Sequence, residues 1–265
     1  MNRTWQAICA VLLTAMLLAA CGAGGTGATT GATTAPDTAA TTGTTTDATA
    51  TTGTTTDATA TTPAAAGATV ADLKGRVLII GSDTTYPPME SVNDQKEIVG
   101  FDVDMMNELA KRMNATVEFR TFPNFDAIFA ALANKEFDMV VSSVSITDER
   151  KKIIAFSDPY LSIGQVITVP AANTTITGQD TLKSAQLVGV QGGTTGEEAA
   201  KAAGVPEAQI KRYDTIDLAF ADLSNGAVDA VIADGPPSAQ YATQYAGKIK
   251  AVGGPFTTED YGIAL

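Results

Sequence analysis

The chain has 265 residues, no histidine, two cysteines and a formal net charge of −12 at pH 7. This acidic balance argues against a nucleic-acid partner, because the chain has no basic patch to neutralise phosphates. The absence of histidine excludes His-based catalytic triads and His-ligated metals. The sequence therefore predicts no metal site and no cofactor.

Residues 1–20 are typical of a secretory signal peptide. A single cation, Arg3, precedes an apolar segment that is shorter than the ~20 apolar residues of a membrane span. Leu18-Ala19-Ala20-Cys21 resembles a bacterial lipobox, so Cys21 is the predicted lipidation site and membrane anchor. An ordinary signal peptide with a chance cysteine is the alternative. Cys9 lies in the leader, so no disulfide is expected.

Residues 21–69 are predicted to be a disordered tether behind the lipidated cysteine. The stretch is almost entirely Gly, Ala and Thr, and residues 41–50 are repeated identically at 51–60. A tract without large apolar side chains cannot bury enough surface to offset the entropy of ordering.

From residue 77 onward the sequence alternates between strand and helix patterns. Apolar residues at helical spacing predict helices, and short apolar or alternating runs predict strands. The resulting β-α-β-α-β order indicates a mainly parallel sheet covered by helices. The predicted strands are residues 77–81, 116–120 and 137–142, and the predicted helices are 102–113 and 125–133.

A second unit repeats this order. We predict an α/β fold of two lobes, each a mainly parallel sheet flanked by helices, with a ligand cleft between them. Lobe I spans residues 70–164 with a return segment at 257–265, and lobe II spans 165–256. The predicted strands of lobe II are 186–191, 210–214, 229–233 and 248–252, its helices are 196–203, 217–225 and one that begins at Pro236, and the linking segments are 162–166 and 257–261.

The run Ser142-Ser143-Val144-Ser145-Ile146-Thr147-Asp148-Glu149-Arg150 follows a short apolar stretch that reads as a buried strand. Arginine presents a rigid fork of donors matched to a carboxylate, and the serines add hydroxyl and N–H groups. This combination predicts a receptor for a small ligand that bears a carboxylate. A solvated helix end is the alternative, because Arg150 lies in a charged run.

Six motifs in a fixed order and spacing carry a family resemblance. They are Asp83-Thr84-Thr85-Tyr86-Pro87-Pro88-Met89-Glu90, Val99-Gly100-Phe101-Asp102-Val103-Asp104, the run Ser142 to Arg150, Phe156-Ser157-Asp158-Pro159-Tyr160, Gly193-Thr194-Thr195-Gly196 and Asp229-Ala230-Val231-Ile232-Ala233-Asp234. From about residue 76 the chain resembles the family 3 amino-acid-binding receptors of bacterial ABC importers (glutamine and lysine/arginine/ornithine-binding type).

The resemblance implies a periplasmic-binding-protein-like type II fold. It also implies an extracytoplasmic, monomeric receptor that captures a polar or basic L-amino acid by lobe closure and delivers it to an ABC permease/ATPase complex. An amino-acid sensor or surface lipoprotein is one alternative, and a dehydratase-type enzyme on the same fold is another. Because the family continues past Ala264 with roughly two more helices, we expect the first lobe to be truncated here.

The same resemblance indicates which residues would bind the α-carboxylate and α-ammonium groups of the ligand. Arg150 is expected to pair with the α-carboxylate, helped by Ser143, Ser145 and the Thr195 backbone at a helix N-terminus. Asp234 is expected to receive the α-ammonium group. Two local roles compete with these assignments, since Asp234 suits the N-cap of the next helix and Thr195 with Glu198 fits a capping box.

The remaining site residues lie at the ends of predicted strands or in neighbouring motifs. Asp83, Ser142, Thr194 and Asp234 each follow a predicted strand, so all four are expected to line one cleft. Asp83 favours a ligand with an amide or cationic side chain, although a turn residue is its alternative role. Further candidates for the ligand side chain are Tyr86, Phe125 and Gln191, of which the two aromatic residues could instead be core.

Overall fold

The computed structural model describes residues 70–265, so the predicted signal peptide, Cys21 and the predicted tether lie outside the described residues. None of the helices in the described part is long and apolar enough to span a bilayer. In chain order the elements are β1 (Val77–Ser82), β2 (Thr85–Tyr86), β3 (Glu90–Val92), β4 (Ile98–Val99), α1 (Phe101–Arg112), β5 (Thr116–Thr121), α2 (Phe125–Ala133), β6 (Met139–Val140), α3 (Asp148–Lys151), β7 (Leu161–Ile163), β8 (Gln165–Pro170), β9 (Val188–Gln191), α4 (Thr195–Ala202), β10 (Ile210–Tyr213), α5 (Ile216–Ser224), β11 (Ala230–Asp234), α6 (Gly235–Gln244), β12 (Ile249–Val252) and β13 (Glu259–Tyr261), with short 3₁₀ turns at Gln179–Ser184 and Glu207–Gln209.

The first sheet is parallel, with strand order β5-β1-β6. Its central strand is an apolar run that is mostly buried beyond the exposed Val77, with Ile80 fully so, as expected for a strand covered on both faces. Helix α1 buries Val103, Met106 and Ala110, which recur at helical spacing. Helix α2 has the bounds that the sequence predicts. The predicted β-α-β-α-β order is confirmed here.

Strand β6 is shorter than predicted, because it ends at Val140 instead of Ser142. Ser143 adopts a left-handed backbone conformation with φ of 51°. A serine in this region is strained, so the strand cannot continue through it. The turn directs the Ser143 N–H away from the sheet and toward Asp102, as described below.

The second sheet is mixed, with strand order β10-β9-β11-β8-β12. β9 is parallel to β10 and β11, whereas β8 runs antiparallel to β11 and β12. The sequence predicted a mainly parallel sheet and did not predict the antiparallel strand β8. The first residues of β8 had been predicted as a linking segment. Val166, Ile167 and Val169 are buried β-branched residues, which suit an interior strand.

A small antiparallel sheet, β2-β3-β4, follows Asp83 and has no counterpart in the sequence prediction. Two of its strands contain only two residues each, too few to produce a periodic pattern.

Two linking strands connect the lobes. β7 pairs antiparallel with β13, which returns the chain from the second sheet to the first. Beyond β13, Val140 N donates to Ala264 O at 2.9 Å and thus joins the last residues to β6. The lobes face each other across the ends of β1, β6, β9 and β11.

Candidate functional site

A cavity lies between the two lobes, at the carboxyl ends of β1, β6, β9 and β11. Ligands of open α/β sheets are bound in this position. The structure brings all eleven predicted ligand-binding residues together here and adds Glu90. The lining is Asp83, Tyr86, Glu90, Phe125, Ser142, Ser143, Ser145, Arg150, Gln191, Thr194, Thr195 and Asp234.

The Arg150 guanidinium reaches across the cleft. Arg150 lies in the short helix α3, where its backbone N–H donates to Thr147 Oγ1 at 3.1 Å. Nη1 donates to Ser145 O at 2.8 Å, and Nη2 donates to Gly193 O of the other lobe at 3.0 Å. Since a guanidinium has five N–H donors, three remain after these two contacts. The side chain is therefore turned inward, unlike the solvated helix end considered above.

Two phenylalanines of α2 support this guanidinium. Its central carbon lies 5.4 Å from the ring centroid of Phe125 and 5.0 Å from that of Phe129, within the range of cation–π attraction. The two rings meet edge to face at 5.5 Å inside the core of the first lobe. Phe125 is thus both a core residue and a wall of the cavity.

Asp234 ends β11 and precedes α6, but its side chain does not cap that helix. Its Oδ2 accepts hydrogen bonds from Tyr86 Oη at 2.9 Å and Tyr261 Oη at 2.5 Å, and its Oδ1 accepts one from the Gln165 amide. Asp234 therefore occupies the N-cap position that the sequence suggested, but its side chain makes no capping hydrogen bond. Burial raises the pKa of Asp234 to about 6 despite these hydrogen bonds.

Asp83 combines the two roles considered from sequence. Its Oδ1 accepts hydrogen bonds from the backbone N–H and the hydroxyl of Thr85, which forms a turn after β1. Its Oδ2 accepts a hydrogen bond from Gln191 Nε2 at 2.5 Å, and the same amide donates to Asp214 O. This contact crosses between the lobes. Burial raises the pKa of the Asp83 carboxyl.

The N-cap of α4 lies one residue earlier than predicted. Thr194 is the N-cap, and its Oγ1 accepts a hydrogen bond from Glu197 N at 3.4 Å, while the Glu197 carboxylate accepts one from Gly193 N at 3.1 Å. The predicted pair of Thr195 and Glu198 is therefore wrong. Thr195 is left facing the cleft, where its Oγ1 lies 3.3 Å from Ser145 Oγ.

Gly193 lies where lobe II packs tightly against helix α2 of lobe I. Its φ is +73°, and a Cβ placed on it would lie 2.8 Å from the Asp126 Cα of α2. Both the backbone conformation and the lack of space require glycine here.

The serine hydroxyls hold the loops around the cavity. Ser142 Oγ accepts a hydrogen bond from Asp83 N at 2.9 Å. Ser145 Oγ donates to Glu259 Oε2 at 2.7 Å. These contacts fix two lobe I segments at the site, namely the turn after β1 and the segment after β6.

Glu90 is the one lining residue absent from the sequence prediction. It lies on β3, is fully buried, and accepts hydrogen bonds from Ser143 Oγ at 3.2 Å and Ser142 Oγ at 3.4 Å. A charged residue directly after Pro87-Pro88-Met89 was the available signal, since buried acids are rare outside functional or paired positions.

Gln165, Glu259 and Tyr261 form a second layer that sequence reasoning also missed. Gln165 Nε2 donates to Thr195 Oγ1 and to Glu259 Oε1, each at 3.1 Å. These partners are 30 and 94 residues away in sequence, so no local pattern connects them.

The cavity is acidic. Three acids, Asp83, Glu90 and Asp234, line it against one cation, Arg150. Within residues 70–265, no group of three or more cysteine, aspartate or glutamate side chains is arranged to hold a metal ion.

The architecture is that of type II periplasmic amino-acid-binding proteins. The structure of an ancestral arginine-binding protein bound to glutamine superimposes with a TM-score of 0.67 at 37% identity, over 71% of this chain and 83% of its own. The arginine-, lysine-, histidine-binding protein ArtJ from the thermophilic bacterium Geobacillus stearothermophilus gives a TM-score of 0.66 at 36% identity, over 71% and 81% of the two chains.

The family model for bacterial extracellular solute-binding proteins, family 3, matches residues 78–235. A probable histidine-binding protein of Neisseria gonorrhoeae is 39% identical over 194 residues, which is 72% of each chain. The protein belongs to family 3 of the bacterial extracellular solute-binding proteins. The resemblance drawn from six motifs is confirmed.

Proposed function

We propose that this protein is the substrate-binding component of an ABC importer, and that it captures a basic L-amino acid by lobe closure. One observation carries the proposal: three acids and one guanidinium line a single cavity between the lobes. A basic amino acid has one carboxylate and two cationic groups. Its charges are expensive to desolvate unless each is paired, and this lining supplies the matching partners.

The α-carboxylate is proposed to bind Arg150. Three guanidinium N–H donors remain for a ligand, and the Thr195 backbone at the start of α4 faces the same space from the other lobe. Ser143 and Ser145 add hydroxyl or backbone contacts. Asp234 would receive the α-ammonium, because it is a buried acid of lobe II that lines the same cavity as Arg150.

The cationic side chain is proposed to extend toward Asp83 and Glu90. The Ser142 hydroxyl links these two residues, since it accepts a hydrogen bond from Asp83 N at 2.9 Å and donates one to Glu90 Oε1 at 3.4 Å, whereas Arg150 donates to the carbonyls of Ser145 and Gly193. The site is thus divided into an end for the amino-acid backbone and an acidic end for the side chain. Gln191 and Tyr86 would line the boundary between them.

The names of the relatives support this choice of ligand. Besides the probable histidine-binding protein, an arginine-binding periplasmic protein of Mannheimia haemolytica is 36% identical over 170 residues. Both are named as binding proteins, which supports a receptor without catalytic activity. We further propose that the two lobes have the bounds predicted from the sequence. A lipid anchor at Cys21 would hold the protein on the extracytoplasmic face of the membrane. The protein would deliver the amino acid to a permease as a monomer.

A thermal-shift screen of the twenty amino acids on the full chain tests the proposal. Arginine, lysine or histidine should raise the melting temperature, because a ligand that binds only the folded form stabilises it by about 2.7 kcal/mol at 100 times its Kd. Aspartate and glutamate should not, since they would add negative charge to an acidic cavity. Calorimetry should then give one site per chain and no turnover. A screen in which no amino acid shifts the melting temperature contradicts the proposal.

A further inference from the structure

Two carboxyl groups are buried side by side at the acidic end of the cavity. Glu90 and Asp102 are both fully buried. Ser143 touches both of them, since its backbone N–H donates to Asp102 Oδ2 at 3.0 Å and its hydroxyl donates to Glu90 Oε2 at 3.2 Å. The left-handed backbone of Ser143 makes this double contact possible, and strain of this kind is concentrated at functional sites.

The hydrogen bonds around the two groups favour a proton between them. Asp102 Oδ2 accepts hydrogen bonds from Ser143 N and from Tyr160 Oη at 2.9 Å, but the buried Oδ1 receives none from any amide, amine or hydroxyl within residues 70–265. A protonated Glu90 supplies that donor. Burial and the neighbouring Asp102 charge raise the pKa of Glu90 well above its usual range.

No cation of the described chain compensates this pair. Arg150 is directed to the carbonyls of Ser145 and Gly193, at the opposite end of the cavity. With no positive partner, two buried carboxylates cannot both be ionised at low cost. The other titratable groups that face Glu90 and Asp102 are an acid and three phenols, namely Asp83, Tyr86, Tyr160 and Tyr261.

We propose that the Glu90–Asp102 pair selects ligands by charge: it keeps one shared proton when the ligand side chain is neutral and releases it when the side chain is cationic. The inference rests on the proposed function and specifies how the same site discriminates between ligands. Glu90 loses its proton to bulk solvent and becomes a carboxylate, and the guanidinium or ammonium group of the ligand takes the place of that positive charge. Within the pair, Glu90 is the group that releases the proton to the solvent, because it lines the cavity while Asp102 lies behind it.

Calorimetry of the full chain with arginine and citrulline at pH 7 tests the proposal. The two ligands share the same amino-acid backbone and similar length, so proton exchange at Asp234 is common to both and cancels. Titrations in buffers with different ionisation enthalpies give the number of protons released. Arginine should release about one proton more than citrulline.

The variant Glu90→Gln assigns the source of that proton. The difference in proton release should disappear, and the preference for arginine over citrulline should fall about tenfold or more, as expected for the loss of a buried charge partner. The matched control is Glu97→Gln, an exposed acid in the neighbouring β3–β4 turn, which should behave as wild type. If citrulline does not bind, proton release on arginine binding is compared between wild type and Glu90→Gln. The difference between the two proteins then gives the proton released by Glu90.

Equal proton release with arginine and citrulline in wild type overturns the inference, whether or not the variant folds. Persistence of the extra proton in Glu90→Gln also overturns it, and assigns the proton to Asp83. Arginine binding without extra proton release would leave the proposed function intact. Failure of every basic amino acid to bind would overturn both.

Discussion

Arg150 contacts both lobes through a single side chain. Its guanidinium is held by two phenylalanine rings of lobe I and donates to a carbonyl of lobe II. Burial lowers the pKa of Arg150 while nearby acids oppose the shift, so the group stays charged throughout the biological range. A ligand carboxylate would bind a cation that is already oriented, which reduces the entropy lost on binding.

Replacing Arg150 by alanine is expected to abolish measurable amino-acid binding while the fold is retained. Loss of one partner of a buried charge pair typically costs about 2–5 kcal/mol, or roughly 30- to several-thousand-fold in affinity. Calorimetry measures the affinity, and circular dichroism reports the fold. The control is Arg120→Ala on β5, whose exposed side chain pairs, among residues 70–265, only with Glu118. Near-normal binding by Arg150→Ala would refute the assignment.

At the residue scale, the sequence predicted the side chains that lie within short motifs. Arg150, Asp83 and Asp234 each occur in a segment with its own recognisable pattern. Gln165 and Glu259 were not predicted, because they act by hydrogen bonds to residues distant in the chain. No residue type or spacing encodes such a contact until the two lobes are assembled.

Helix α4 depends on the carboxylate of Glu197 at its first turn. This buried group accepts hydrogen bonds from Gly193 N, from Arg212 Nε at 2.9 Å and Nη2 at 2.7 Å, and lies 2.7 Å from Lys201 Nζ. Negative charge at a helix N-terminus is favourable. Burial alone would raise the pKa of Glu197, but the contacts with Arg212, Lys201 and Gly193 outweigh it and lower the pKa to about 2.

Glu197→Gln should therefore lower the free energy of unfolding by about 1.5–3 kcal/mol at pH 7, the usual contribution of hydrogen bonds to a charged group. The folded-state pKa is below the unfolded value, so this contribution is complete above about pH 4.5 and is lost as the pH falls toward 2. Urea unfolding at several pH values should show that dependence weakened in the variant.

Glu198→Gln is the control for this element. Glu198 is exposed and pairs only with Lys201 at 2.9 Å, so its replacement should change stability by less than about 0.5 kcal/mol. Equal effects of the two substitutions would contradict the role assigned to Glu197.

At the element scale, long periodic segments were predicted well and short ones were not. The bounds of α2 match the prediction, because its apolar face repeats over more than two turns. Strand β8 was partly taken for a linker because an antiparallel strand that enters a parallel sheet carries no distinguishing pattern. The shift of the α4 cap from Thr195 to Thr194 is a choice between two adjacent threonines that local sequence leaves open.

At the scale of the molecule, several hydrogen bonds cross between the lobes. Tyr86 donates to Asp234, Gln191 donates to Asp83, and Tyr241 Oη donates to Thr85 O at 2.8 Å. The third of these lies outside the cavity lining. It therefore stabilises the closed arrangement without contact to a ligand, and should affect affinity only through the population of closed molecules.

The variant Tyr241→Phe tests whether this hydrogen bond affects affinity without contacting the ligand. The ring keeps its stacking on Phe220, at 4.5 Å between centroids, and only the hydroxyl is lost. Loss of one such hydrogen bond, at about 0.5–1.5 kcal/mol, should weaken ligand binding roughly 2- to 12-fold. Calorimetry measures the affinity, and small-angle scattering should show a larger radius of gyration without ligand. Tyr245→Phe is the control, since the Tyr245 hydroxyl makes no hydrogen bond within the described chain. Unchanged affinity in Tyr241→Phe would contradict the argument.

The fit of Gly193 against Asp126 has a consequence for how this receptor could vary. Any β-carbon at that position would stop the two halves a short distance apart, with every charged group in the cleft still present. If the protein captures its ligand by lobe closure, as proposed, ligand recognition and closure are separable in this molecule, and closure depends on the absence of a single methyl group at Gly193.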